Sequence, residues 1–119
     1  MGKNTEKVAE DAAKIKKINS VIRVDAAHLE HLLAEDAAKI IENLSESYKV
    51  ILAAHSWFSR NFLPRVGALL NVSLITDVLK IEKNNLYTRA IYAGNVYAKI
   101  QSTDHIQLLT IQTSIFVPC

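Results

Sequence analysis

The pattern of apolar and polar positions changes character twice along the chain. Residues 48–54 form a nearly continuous apolar run, the polar pair His55-Ser56 follows, and apolar positions then recur at helical spacing up to Leu70. That succession predicts a buried parallel strand feeding a crossover helix. Before it, Val8, Ala9, Ala12, Ala13 and Ile15 share one face of a helix over 6–17, with Asn4 or Thr5 as its cap. A β-branched run over 20–24 predicts a short strand, and Asp25 is placed to cap what comes next. Leu29, Leu32, Leu33, Ala37, Ile40, Ile41 and Leu44 keep the helical period over 26–44, as one long helix or two short ones.

The helix after the central strand has two possible starts. Either Ser56 caps it and Pro64 lies inside, or Asn61 caps it and Pro64 falls in the first turn. Asn71 is the predicted stop. Beyond it the period becomes that of strands, at 78–82, 86–92, 96–101 and 106–113, separated by Asn84-Asn85, Ala93-Gly94-Asn95 and Ser102-Thr103-Asp104. These predict three or four antiparallel strands joined as hairpins. The fold class is therefore α/β, a partial doubly wound parallel sheet followed by an antiparallel β part. A helix at the start and so few parallel strands leave apolar surface uncovered, so the first βαβ unit is expected to be missing or supplied by a partner.

Composition narrows the classes of function. With 119 residues the expectation is a single domain over 1–119, and 50% hydrophobic against 22% charged residues is the balance of a folded chain. A net charge of +2, with both signs interleaved, gives no basic stripe for nucleic acid. No apolar segment reaches the length of a membrane span and the start lacks a secretory apolar core, so the expected location is cytoplasmic, without membrane insertion. The one cysteine, Cys119, excludes an intrachain disulfide and a cysteine-based zinc site.

Candidate chemistry is sparse. His28 and His31 lie one helical turn apart near Asp25 and Glu35, but such a set on a helix reads first as a solvated face, and no metal site is expected. His55 and Ser56 follow a strand at its carboxyl end, where α/β sheets bind ligands, yet no acid is placed to complete a triad, so no catalytic residue is assigned. With Gly2, Gly67 and Gly94 the only glycines, no loop can cradle a pyrophosphate, and no cofactor-binding residue is assigned. If the domain makes polar contacts, the candidates are Arg65, Asp77, Arg89 and Asn95; the plainer reading makes Asn95 a turn residue and Arg89 either a solvated strand residue or the partner of Asp77. Trp57 and Phe58 read either as core closure or as interface anchors.

Arg60-Asn61-Phe62-Leu63-Pro64-Arg65-Val66, then Ile75-Thr76-Asp77-Val78, then Tyr87-Thr88-Arg89-Ala90-Ile91-Tyr92-Ala93-Gly94-Asn95 resembles, in order and spacing, the N-terminal domain of the electron transfer flavoprotein alpha subunit. The resemblance runs more loosely over residues 7–116. It implies an adenine-nucleotide-hydrolase-like α/β scaffold that pairs with a beta subunit, in a heterodimer that carries electrons from dehydrogenases to a quinone oxidoreductase. It also implies that FAD is held mainly by a further domain, separately encoded if present, so that this chain binds no flavin alone and is not an enzyme. The family's first strand, helix and second strand have no counterpart, matching the expected packing gap. Ser59 stands where the family has glycine and Gln112 where it has an arginine, a planar donor that glutamine does not replace. The alternatives are a stand-alone adenine-nucleotide-binding module, or the inactive product of a split or decayed gene that self-associates.

Overall fold

The computed structural model describes residues 1–31, 33–91 and 96–116. The elements are α1 (Glu6–Ala13), α2 (Ala34–Leu44), β1 (Val50–Ala54), α3 (Trp57–Leu70), β2 (Leu74–Glu82), β3 (Leu86–Ile91), β4 (Val96–Gln101) and β5 (Gln107–Ile111), with single 3-10 turns at Ala27–Leu29, Ser45–Ser47 and Thr113–Ile115. The α/β class expected from the sequence is the one found. The strands form one mixed sheet in the order β1-β5-β2-β3-β4. β5 runs parallel to both β1 and β2, whereas β2, β3 and β4 form an antiparallel meander.

This order corrects the antiparallel reading of the last strand. β5 turns back into the parallel half and separates β1 from β2, so Leu108, Leu109 and Thr110 are fully buried in the middle of the sheet. β1 is displaced to the edge. Its residues alternate between exposed and half-buried, and Val50 and Leu52 are 44% and 50% exposed. An apolar run marks a strand able to be buried on both faces, but which strands flank it is decided by non-local pairing.

Register assigns the two faces. Ile51, Ala53, Leu74 and Leu108 point to the face covered by α2 and α3, where they meet Ala37, Ala38, Phe62, Leu63 and Val66. On the opposite face Ile75, Val78, Tyr87 and Leu109 form a second cluster with Ile100 and Ile111.

α3 follows the first of the two alternatives. Ser56 caps it, accepting a hydrogen bond from Ser59 N–H at 3.2 Å, and Pro64 lies within the helix, so the Arg60 carbonyl lacks its usual donor four residues on. The helix ends as expected at Asn71, in the left-handed conformation at φ 55°, with Val72 N–H returning to the Gly67 carbonyl at 3.0 Å and Asn71 N–H to Ala68. The β2–β3 connection likewise uses left-handed backbone at Asn84 and Asn85, the turn formers that the sequence marks there.

The N-terminal quarter departs from expectation. The segment over 20–24 is not a strand; among the described residues the one pairing beside it is a parallel bridge between Gly2 and Asp25. The β-branched run has no neighbouring strand to complete it, and Ile22 stays exposed. Asp25 does not cap the following turn. Its carboxylate reaches back to accept hydrogen bonds from Thr5 N–H at 2.7 Å and Asn4 N–H at 3.1 Å, fixing the chain just before α1, and Arg23 pairs with it at 3.0 Å. α1 stops at Ala13 and buries none of its residues. The 26–44 region resolves into two pieces, the turn at Ala27–Leu29 and α2.

Candidate functional site

The parallel half of the sheet ends in a small polar cluster. His55 follows β1, Thr110 lies near the end of β5, and Asp77 sits where β2 breaks its register at a bulge. Thr110 is fully buried, and its hydroxyl oxygen accepts a hydrogen bond from Asp77 N–H at 2.9 Å and lies 2.9 Å from His55 Nδ1. One buried hydroxyl thus ties the carboxyl ends of β1 and β5 to the bulge of β2, on the side where open α/β sheets take ligands.

The bulge has a visible local cause. Asp77 adopts φ 55°, the left-handed region that Asp tolerates better than most residues. The extra residue turns its amide toward Thr110 and leaves Asp77 Oδ1 buried without a hydrogen-bond partner. Arg89 pairs across strands with Val78, next to Asp77, and its Nε is also buried and unpartnered. Of the two plainer readings of Arg89, the ion pair with Asp77 is not formed among the described residues. In the β2–β3 register Arg89 stands opposite Val78, so the two polar groups are not set opposite each other.

A second feature stands at the start of α3. Trp57 is 86% exposed, and the Arg60 guanidinium lies 5.2 Å from its ring centre. A cation at that position holds the indole in place on the surface, an effect of roughly 0.5–1 kcal/mol at an exposed site. Phe58 is also exposed and leans on Phe62, with ring centres 4.9 Å apart. Core closure is therefore ruled out for Trp57, and Phe58 is only half tied to the core through Phe62.

The remaining candidates are scattered. Arg65 lies on the outer side of α3, 4.0 Å from Glu35 of α2, with both side chains largely in solvent. Asn95, with Gly94 and the rest of its turn, lies outside the described residues. Ser59 is buried, and its hydroxyl accepts from that of Ser56 at 3.1 Å. Thr110 carries no sequence signal, because a threonine in a short apolar strand reads as an ordinary strand residue.

Among the described residues no three His, Cys, Asp or Glu side chains come together to hold a metal ion. Gly67 is taken up by packing: a Cβ there would meet the Val72 carbonyl oxygen at 2.9 Å. Among the described residues no helix is long and apolar enough to cross a membrane.

Fold and cluster together define a class, an α/β domain with a mixed sheet whose parallel strand ends converge on a polar group. The chain belongs to the electron transfer flavoprotein domain family, whose model matches residues 1–119. It is 37% identical over 115 residues to the electron transfer flavoprotein subunit alpha of Pseudomonas aeruginosa, covering 97% of this chain and 37% of that protein. It is 40% identical over 116 residues to the mitochondrial electron transfer flavoprotein subunit alpha of Dictyostelium discoideum, covering 92% of this chain and 33% of that protein. The subunit alpha of Paracoccus denitrificans is 36% identical over 115 residues, again with 97% of this chain and 37% of the relative covered. The alpha-subunit likeness expected from the sequence is thereby shown, and the chain spans about a third of the length of the curated relatives it matches.

Proposed function

We propose that this domain serves electron transfer without catalysing a step itself, as the scaffold of an electron transfer flavoprotein alpha subunit that docks a beta subunit. In this reading FAD is held by another domain and electrons pass from dehydrogenases to a quinone oxidoreductase. A cytoplasmic location goes with it, although some relatives are mitochondrial by name. Kinship to alpha subunits supports the electron-transfer role, and the observation that carries the docking role is the exposed Trp57 held by Arg60. A large aromatic kept in water next to a cation is the kind of side chain that anchors protein interfaces.

Co-expression with a beta subunit, followed by light scattering and visible absorbance, tests the proposal. The expected result is a complex of defined mass, colourless until a flavin domain joins it, with Trp57→Ala weakening the complex by about tenfold or more. No complex, or a chain that purifies yellow alone, would overturn the reading.

A second reading rests on a different observation, the His55–Thr110–Asp77 cluster at the carboxyl ends of the parallel strands. It makes the domain an adenine-nucleotide-binding module. A thermal shift with AMP, ADP or ATP that disappears in Thr110→Val would support it, and no shift at high nucleotide concentration would remove it.

A further inference from the structure

Two backbone hydrogen bonds fix the end of β5 between its neighbours, His55 N–H to the Ile111 carbonyl at 2.9 Å and Gln112 N–H to the Val78 carbonyl at 3.0 Å. Thr110 lies beside both and is fully buried. The protons around its hydroxyl can be assigned one by one. An amide only donates, so the Thr110 oxygen accepts from Asp77 N–H. The hydroxyl's own proton then needs an acceptor, since burial shuts out water. Asp77 Oδ1 does not serve, because it has no hydrogen-bond partner. Among the described residues the remaining contact of the hydroxyl is His55 Nδ1, at 2.9 Å.

Nδ1 therefore accepts, and the single ring proton of the neutral imidazole sits on Nε2. The reverse arrangement, with Nδ1–H donating to Thr110, would leave a buried hydroxyl proton without an acceptor, a state that native structures rarely keep. Nε2 makes no hydrogen bond among the described residues, and it is not shut away from solvent as Asp77 Oδ1 is. Because the backbone of His55 is held by Ile111 and its ring by Thr110, the Nε2–H is a donor of fixed direction. The neighbouring Ser56 does not compete for the same role, since its hydroxyl is engaged by Ser59.

We propose that Thr110 is a positioning residue for His55. Asp77 N–H donates to Thr110, Thr110 donates to His55 Nδ1, and the imidazole is locked as the tautomer that presents Nε2–H at the carboxyl ends of β1 and β5. The group that meets it must offer a lone pair and carry no proton at the contact. The tautomer follows from the protein alone; that a ring nitrogen or an oxygen of an adenine nucleotide supplies the lone pair rests on the second reading above.

Nitrogen-15 NMR of the histidine rings at about pH 8, where imidazoles are neutral, reads the tautomer in this chain and in Thr110→Val and Thr110→Ser. In the wild type His55 Nδ1 is expected without a proton and Nε2 with one. Thr110→Val should move both His55 nitrogen shifts toward the averaged values of a freely exchanging ring, and Thr110→Ser should restore them. A merely structural role for Thr110 would change stability and leave these shifts alone. A protonated Nδ1 in the wild type, or identical His55 shifts in Thr110→Val, would overturn the proposal; if Thr110→Val does not fold, the wild-type spectrum alone decides. AMP added to the same samples tests the ligand. Movement of the His55 Nε2 signal supports both readings, and AMP that raises the melting temperature without moving that signal would overturn the role of His55. AMP without effect on either would remove the nucleotide reading and leave the tautomer result standing.

Discussion

Thr110 illustrates how one side chain can organise a junction between strands. Its hydroxyl satisfies the Asp77 amide, which the left-handed backbone at Asp77 withdraws from the ordinary ladder. Thr110→Val keeps the shape and removes the acceptor, leaving that amide unsatisfied in a partly buried place. The expected loss is about 1–3 kcal/mol in urea unfolding; an unchanged stability would mean that water reaches the amide. Neither partner was legible beforehand. Asp77 could be picked out as a polar residue within a motif, but its left-handed conformation and the identity of its partner depend on β5 returning between β1 and β2. By contrast Asn71, Asn84 and Asn85 could be read directly, because left-handed backbone at a helix end or turn selects Asn by local sterics alone.

Asp25 is the other residue whose role arises from distant sequence. Thr5 N–H is the main cause, and the Arg23 guanidinium the next, that holds its carboxyl well below the usual carboxylate range. A depressed folded-state pKa contributes stability that is present above the unfolded value, near 4, and is lost as pH falls toward the folded one. Below about pH 4 the hold of Asp25 on Asn4 and Thr5 is therefore expected to weaken progressively. An NMR titration checks this through the Thr5 amide resonance, which should stay fixed above that range and move within it. A resonance indifferent to acid would remove Asp25 as the latch of the N-terminal arm.

At the scale of elements, α3 combines local signals with one non-local demand. Its cap and stop follow from Ser56 and Asn71, so its limits could be read from sequence once Ser56 was chosen over Asn61. The demand is at Gly67. A glycine within a helix ordinarily costs roughly 1 kcal/mol relative to alanine, and exchanging it would then stabilise the protein. Here the chain folds back after Asn71 and brings the Val72 carbonyl oxygen to 2.9 Å from where a Cβ would stand, with a Leu108 methyl at 3.4 Å. Backbone cannot yield as a flexible side chain can, so Gly67→Ala is expected to destabilise by about 1–3 kcal/mol, as overpacking does. Denaturant unfolding decides the sign, and a stabilised variant would show that the turn relaxes. The β elements were legible as strands for the same reason that the helices were, through period, but 20–24 was not. Its β-branched run satisfies the strand pattern, yet a strand exists only where a neighbour supplies the other half of the ladder, and pattern alone does not report neighbours.

For the whole molecule the order β1-β5-β2-β3-β4 sets a gradient of stability. β5 is paired on both sides and lies between the two apolar clusters, contributing Leu108 to one and Leu109 to the other. β1 is paired on one side only, and α1 buries no residue and is joined to the rest chiefly through Asp25 and the Gly2 bridge. Opening free energies follow burial and pairing, so local openings expose the N-terminal arm long before they expose the centre of the sheet. Native-state hydrogen exchange on the dilute chain should find the amides of Leu108 and Leu109 slowest and those of α1 fastest. Under rising denaturant the two sets converge only at global unfolding. If α1 exchanged as slowly as β5, the arm would be part of the cooperative core, and the extent of protection would then identify what holds it there. The same gradient bears on the docking surface: Trp57 stands on a helix anchored in the core by Phe62, Leu63 and Val66, at the slow-opening end of that range.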